Sequence, residues 1–162
     1  MINNTAILLI LMSMLAGCAT TDSYQVPASN PALATIKGFS TRSGLYEWQD
    51  AEIQSIDNKQ ISFGFLQDFA TYRISVTPGK HTLVVHSNFN NGFKLGSAGY
   101  EGSAQLQATF LPRQAYHLNG DVEGASIRIW VEDSNNKVIS TIGKAPYRTS
   151  SREMVVTIPV IK

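Results

Sequence analysis

The sequence predicts an all-β protein, an antiparallel β-sandwich of about eight strands, and three observations support this prediction. Apolar and polar residues alternate with a period of two over much of the chain, as in 72–76. Turn signals such as Pro78-Gly79 separate the alternating stretches. Beyond the N-terminal segment, no stretch longer than a turn or two has a helical period. A partly closed barrel is the alternative arrangement of the same strands.

The N-terminal segment is apolar and uncharged from Ala6 to Leu15. A helix needs about 20 apolar residues to cross a bilayer, so this run is too short to span one. Its length is typical of the apolar region of a signal peptide. The preceding residues Met1-Ile2-Asn3-Asn4 contain no Lys or Arg, which departs from the positively charged start of most signal peptides. We interpret residues 1–17 as a targeting segment.

The apolar run ends at Leu15-Ala16-Gly17-Cys18, which contains the single cysteine of the chain. These four residues resemble the processing site of bacterial lipoproteins, in which a Leu and two small residues precede an invariant Cys. The resemblance implies cleavage before Cys18 and attachment of a diacylglycerol and an acyl chain such as palmitate. Ala19 is not Asp, which in Gram-negative sorting implies the outer membrane, facing the periplasm. The alternative is an ordinary thiol behind a conventional signal or in a buried helix.

Residues 18–33 are small and polar with Pro27 and Pro31, a composition that predicts a flexible tether after the lipidated Cys18. At about 3 Å per residue, such a tether would hold the domain on the order of 30 to 40 Å from the membrane. The remaining residues, 34–162, form one β-sandwich domain. Thirteen basic and 12 acidic residues nearly cancel, so nucleic acid is not an expected partner.

The predicted strands follow the alternation in chain order. Two hairpins come first, 51–56 with 60–65 through Asp57-Asn58, and 72–76 with 81–86 through Pro78-Gly79. The stretch 105–142 predicts a meander of four strands, in which 116–122 pairs with 127–131. Isolated candidates are 35–39 and 154–161. The alternation also predicts the core positions Ile74, Val76, Leu83, Val85, Leu106, Phe110, Tyr116, Leu118, Ile127, Ile129 and Val131.

The hairpin motifs carry a second resemblance. Ile53–Lys59, Ile74–Val85, Gln114–Leu118 and Ile129–Asp133 resemble the strand and turn pattern of small bacterial envelope lipoproteins of uncharacterised β-sandwich families. This resemblance implies a fold and a location, and no activity.

Candidate chemistry is sparse. His81 and His86 lie five positions apart and would point to opposite faces of a strand, so we expect no metal site and no cofactor. We expect His81 to hydrogen-bond to loop backbone. Asp121, Glu123, Glu132 and Asp133 could approach one another, but surface carboxylates neutralised by Arg128 explain them equally well.

Recognition is the other candidate activity. The stretch 88–103 is the least strand-like of the domain, and long loops often carry recognition. Phe89, Phe93 and Tyr100 could contact a protein or glycan partner there, or fold back onto the core edge. Trp130 on a polar strand face is a further candidate contact. We therefore expect a noncatalytic binding or structural module of the cell envelope. The alternatives are an envelope hydrolase that uses surface carboxylates, and an accessory lipoprotein of a secretion apparatus.

Overall fold

The protein is a sandwich of two β-sheets in a computed structural model that describes residues 22–26, 30, 32–43, 47–62, 72–91 and 99–150. One sheet has five strands in the order β10-β9-β8-β1-β5, and the other has β11-β7-β6-β3-β2 with β4 attached to β3. Among the named strands of the described residues, every pair is antiparallel except β1 with β8. The strands are β1 Ala34–Lys37, β2 Phe39–Arg42, β3 Glu47–Ile56, β4 Lys59–Gln60, β5 Arg73–Val76, β6 Gly79–Asn91, β7 Tyr100–Phe110, β8 Ala115–Glu123, β9 Ser126–Asp133, β10 Gly143–Pro146 and β11 Arg148–Thr149.

The all-β sandwich predicted from the alternation is confirmed, and so is its core. Every predicted core position is buried between the two sheets. Burial of each such side chain contributes roughly 1.5–3 kcal/mol relative to exposure. The β3–β4 turn at Asp57-Asn58 and the β8–β9 hairpin are also confirmed. Both turn residues of the first hairpin have positive φ, 50° and 65°, as a two-residue hairpin of the favoured twist requires.

The predicted hairpin between 72–76 and 81–86 is wrong. Strand β5 pairs with β1 in the five-stranded sheet, whereas β6 pairs with β3 and β7 in the other sheet. Pro78-Gly79 is therefore a corner that carries the chain from one sheet to the other. Gly79 has a φ of 129°, a value that L side chains rarely adopt, so the turn signal was genuine although its partner strands were misassigned.

The predicted four-strand meander over 105–142 is also wrong. Strands β7 and β8 lie in different sheets, and a corner at 111–114 joins them. The expected strand at 138–142 instead touches both sheets through two isolated bridges, Val138 with Glu132 and Ser140 with Ala108. Backbone hydrogen bonds add to this link, because the Thr141 amide donates to the Gln107 carbonyl over 2.9 Å.

Asp22–Tyr24 lie on the domain, in contrast to the free tether expected over 18–33. Ser23 forms a parallel bridge with Gln60 of β4. The Tyr24 amide donates to the Gln60 carbonyl over 2.8 Å, and the Gln60 amide donates to the Asp22 carbonyl over 3.1 Å. The Tyr24 side chain packs against the core. The folded unit thus begins before residue 34. The signal segment, Cys18 and the expected strand 154–161 lie outside the described residues.

We expect Gly143→Ala to destabilise the protein by about 1–3 kcal/mol, because overpacking a close approach forces backbone shifts. A Cβ at this position of β10 would lie 2.9 Å from the Gln105 carbonyl oxygen and 3.1 Å from the Ala104 Cβ. Urea unfolding measures the difference. Lys144→Ala on the exposed face of the same strand is the control and should cost less than about 1 kcal/mol. Equal stability of Gly143→Ala and the natural chain would contradict this close approach.

Candidate binding face of the five-stranded sheet

The outward face of the five-stranded sheet carries a row of four polar side chains from four neighbouring strands. Arg73 on β5 pairs in register with Lys37 on β1, Lys37 pairs with His117 on β8, and His117 pairs with Glu132 on β9. Asn119 and Trp130 form the next pair on the same face. We call these six residues the polar face. Residues facing each other across paired strands have Cβ atoms about 5 Å apart, so the four members of the row are neighbours.

Glu132 is the buried residue at one end of the row, with a side chain that is 8% exposed. Its Oε1 accepts hydrogen bonds from the Trp130 indole Nε1 over 2.6 Å and from the Asn119 Nδ2 over 3.1 Å. Its Oε2 accepts one from the His117 Nε2 over 3.1 Å. Both carboxylate oxygens are therefore satisfied, which is what allows this carboxylate to lie beneath its neighbours.

The hydrogen bonds decide the charge state of Glu132. Burial by itself penalises the ionised form, but the hydrogen bonds from Trp130 and Asn119 together with the nearby His117 outweigh it. They hold the pKa of Glu132 below its ordinary value. The carboxylate is thus an anion at neutral pH that orients the Trp130 and His117 rings.

The other end of the row is a basic groove of about 150 Å³. Lys37, Arg73 and His117 line it, with Thr35 and Ser134 beside them. Within the described residues, neither Lys37 nor Arg73 forms an ion pair. Like charges directly opposite each other destabilise a sheet. A bound anion would therefore reduce the repulsion between Lys37 and Arg73.

The four carboxylates considered in the sequence do not converge on one site. Asp121 accepts from Arg128 Nε over 2.7 Å, and this hydrogen bond and the guanidinium charge lower the pKa of Asp121. Glu123 lies between Arg128 and Lys144, at 3.3 and 3.1 Å. Asp133 Oδ1 instead accepts from two amides of the turn 134–137. Arg128 is the neutralising neighbour that the sequence indicated.

Phe89 and Tyr100 lie in paired strands and not in the loop predicted over 88–103. Strands β6 and β7 pair as far as Phe89 and Tyr100, so the described residues of this stretch other than Gly99 are strand. Phe89 has no exposed surface, and Tyr100 stacks on it with ring centroids 5.3 Å apart. Both aromatics fold onto the core, which was the alternative left open, and Phe89 is not available to a partner. Phe93 lies outside the described residues. Trp130 is partly exposed on the polar face.

His81 and His86 serve local structure. His81 Nε2 donates to the Thr77 carbonyl over 2.9 Å, as expected, and its Nδ1 lies 2.6 Å from Asp57 Oδ2. His86 contacts Ser103 and Asn88 on the other sheet's outer face. Among the residues that the structure describes, no three His, Cys, Asp or Glu side chains are grouped to hold a metal ion.

No protein-family model matches the chain, and no curated protein or solved structure matches it. In the described part of the chain, no helix has the length and apolar character needed to cross a membrane.

We expect Glu132→Gln to destabilise the fold by about 1–3 kcal/mol at neutral pH, because a neutral amide loses the charge that strengthens the hydrogen bonds from Trp130, Asn119 and His117. The lowered pKa of Glu132 means that the ionised carboxylate stabilises the fold above the ordinary titration range of glutamate. That contribution is lost as pH falls through the lowered folded-state value.

Urea unfolding at several pH values tests this expectation. The stability difference between the natural chain and Glu132→Gln should shrink in acid, while the exposed control Glu123→Gln should show little effect at any pH. A difference that grows as the pH falls would contradict this assignment.

Proposed function

We propose that this protein is a lipoprotein, anchored through Cys18 to the periplasmic face of the outer membrane, whose β-sandwich is a noncatalytic binding module. The sequence Leu15-Ala16-Gly17-Cys18 directly after an uncharged apolar run carries the proposal. A single acyl chain gives marginal membrane binding, whereas two or more give a stable anchor. A multiply acylated Cys18 therefore requires no membrane-spanning segment.

The contacts of the acidic side chains support a binding role over hydrolysis. Asp121, Glu123 and Asp133 are committed to arginine, lysine or turn amides, and Glu132 accepts three hydrogen bonds. A general base needs a carboxylate that can reach a substrate proton, and these groups are engaged with the protein itself.

The basic groove indicates what the module binds. Lys37 and Arg73 present two positive charges from adjacent strands, with His117 completing one wall. Guanidinium and ammonium groups recognise carboxylates and phosphates by charge-assisted hydrogen bonds. We propose that the partner is an envelope protein or glycan that presents such an anionic group.

Mass spectrometry of the mature protein from membranes tests the anchor. We expect a chain that begins at Cys18 with acyl groups attached, and we expect Cys18→Ser to abolish both the modification and partitioning into detergent. Thr20→Ser, two residues beyond the attachment site, is the matched control and should behave as the natural chain. A mature protein that retains residues 1–17, or unchanged partitioning of Cys18→Ser, would refute the proposal.

Titration with inorganic phosphate, followed by NMR, tests the groove. Resonances of Lys37, Arg73 and His117 should shift saturably, and Lys37→Gln with Arg73→Gln should weaken the apparent affinity at least about tenfold, since each lost charged hydrogen bond is worth roughly 1.5–3 kcal/mol. Lys144→Gln with Arg148→Gln removes the same charge elsewhere and should leave the titration unchanged. Equal loss in both double variants would show that only net charge matters and would reject the groove.

A further inference from the structure

The connection between Cys18 and the folded domain is short. Asp22 is already held on the domain, because its carbonyl accepts from the Gln60 amide and its carboxylate lies 3.4 Å from Lys59 Nζ. Only residues 19–21 separate it from Cys18. Even a fully extended chain spans at most about 3.5 Å per residue, so Asp22 lies within about 14 Å of the lipidated cysteine.

Asp22 lies at one particular end of the sandwich. The parallel bridge between Ser23 and Gln60 places Asp22 beside Lys59, next to the β3–β4 turn. Three other connections lie at the same end, as the strand registers show. Gly79 pairs with Phe110, and Tyr116 pairs with Asp133. We call this the proximal end; it comprises residues 57–59, 78–80, 111–114 and 134–138.

The proximal end combines exposed apolar side chains with basic ones. Leu111 is 60% exposed and Val138 is 45% exposed, and they are two of the three large apolar residues exposed in the described part of the chain. The basic residues of this end are Lys59, Lys80, Arg113 and Lys137.

The acidic residues at or beside the proximal end are engaged within the protein. Asp22 pairs with Lys59, Asp57 contacts His81 and the Thr82 amide, and Asp133 accepts from turn amides. Hydrogen bonding at Asp57 outweighs its burial and lowers the pKa of that carboxyl. Lys80 and Lys137, both exposed, therefore remain as the positive charge that this end presents outward.

We infer that the proximal end rests on the lipid leaflet that holds the Cys18 anchor, with Leu111 and Val138 at headgroup level and Lys80 and Lys137 beside lipid phosphates. The inference rests on the proposed lipidation of Cys18. Apolar side chains that enter the interface and basic side chains near anionic headgroups both favour this contact. The strands then run away from the membrane, and the basic groove opens sideways, close above the leaflet.

Fluorophores on single introduced cysteines test this orientation, because lipidated Cys18 has no free thiol. The full-length lipidated protein is reconstituted in vesicles whose lipids carry spin-label quenchers at headgroup level. Leu111→Cys and Val138→Cys should be quenched at least about twofold more than Ala125→Cys. Ala125 lies in the β8–β9 turn at the opposite end, about 25 Å away along the eight residues of β9.

Two further variants separate the effect of the short connection from the effect of the basic residues. A Gly/Ser spacer of about 20 residues inserted after Thr21 allows a mean reach of about 25 Å, and it should reduce the difference in quenching to less than about half. Lys80→Gln with Lys137→Gln should weaken quenching at Leu111→Cys more in vesicles that contain phosphatidylglycerol than in phosphatidylcholine alone.

Equal quenching at both ends, with lipid on Cys18 confirmed by mass spectrometry, would overturn the orientation and leave the anchor intact. Absence of lipid on Cys18 would instead refute the proposed function. If the spacer leaves the difference in quenching between the two ends unchanged, the short connection is not what orients the domain.

Discussion

The fold depends on one constraint, which is that both sheets bury the same layer of apolar side chains and neither can do so alone. The chain contains a single cysteine, so no disulfide within it can replace that packing. Connections that pass from one sheet to the other hold the two sheets over this shared layer. Strands β1 and β2 are separated only by the buried Gly38 yet belong to different sheets, and the 138–142 segment bridges both sheets on the far side. The two sheets are thereby linked at two places.

The core could be predicted from the sequence because alternation is a local property. Ile127, Ile129 and Val131 point inward whatever strand lies beside them. Strand partners could not be predicted in the same way. Pro78-Gly79 has the composition of a tight hairpin turn and of a corner between sheets, and only the distant β1 decides between them by pairing with β5. The parallel pairing of β1 with β8 has no local signal at all.

The polar face was only partly predictable for the same reason. Trp130 was identified because a tryptophan on a polar strand face is unusual, and Arg128 because it lies near several carboxylates. Lys37 and Arg73 were missed, since each is an ordinary exposed residue until the register of three strands aligns them with His117. For 88–103 the error was the opposite one, because the sequence suggested a partner-binding loop where the described residues are mostly strand. Its Asn and Gly content suggested a loop, but the long β6–β7 pairing extends the strands into it.

The two ends of the polar row differ because His117 lies between Glu132 and the pair Lys37 and Arg73. Both oxygens of Glu132 accept hydrogen bonds from Trp130, Asn119 and His117, and neither pairs with Lys37 or Arg73. His117 separates this anion from Lys37 and Arg73 in the row. The charge of Glu132 is therefore used to orient two rings, and the groove keeps its positive potential. Residues of one face thus divide into an internally satisfied half that fixes geometry and an unsatisfied half that is suited to an anionic partner.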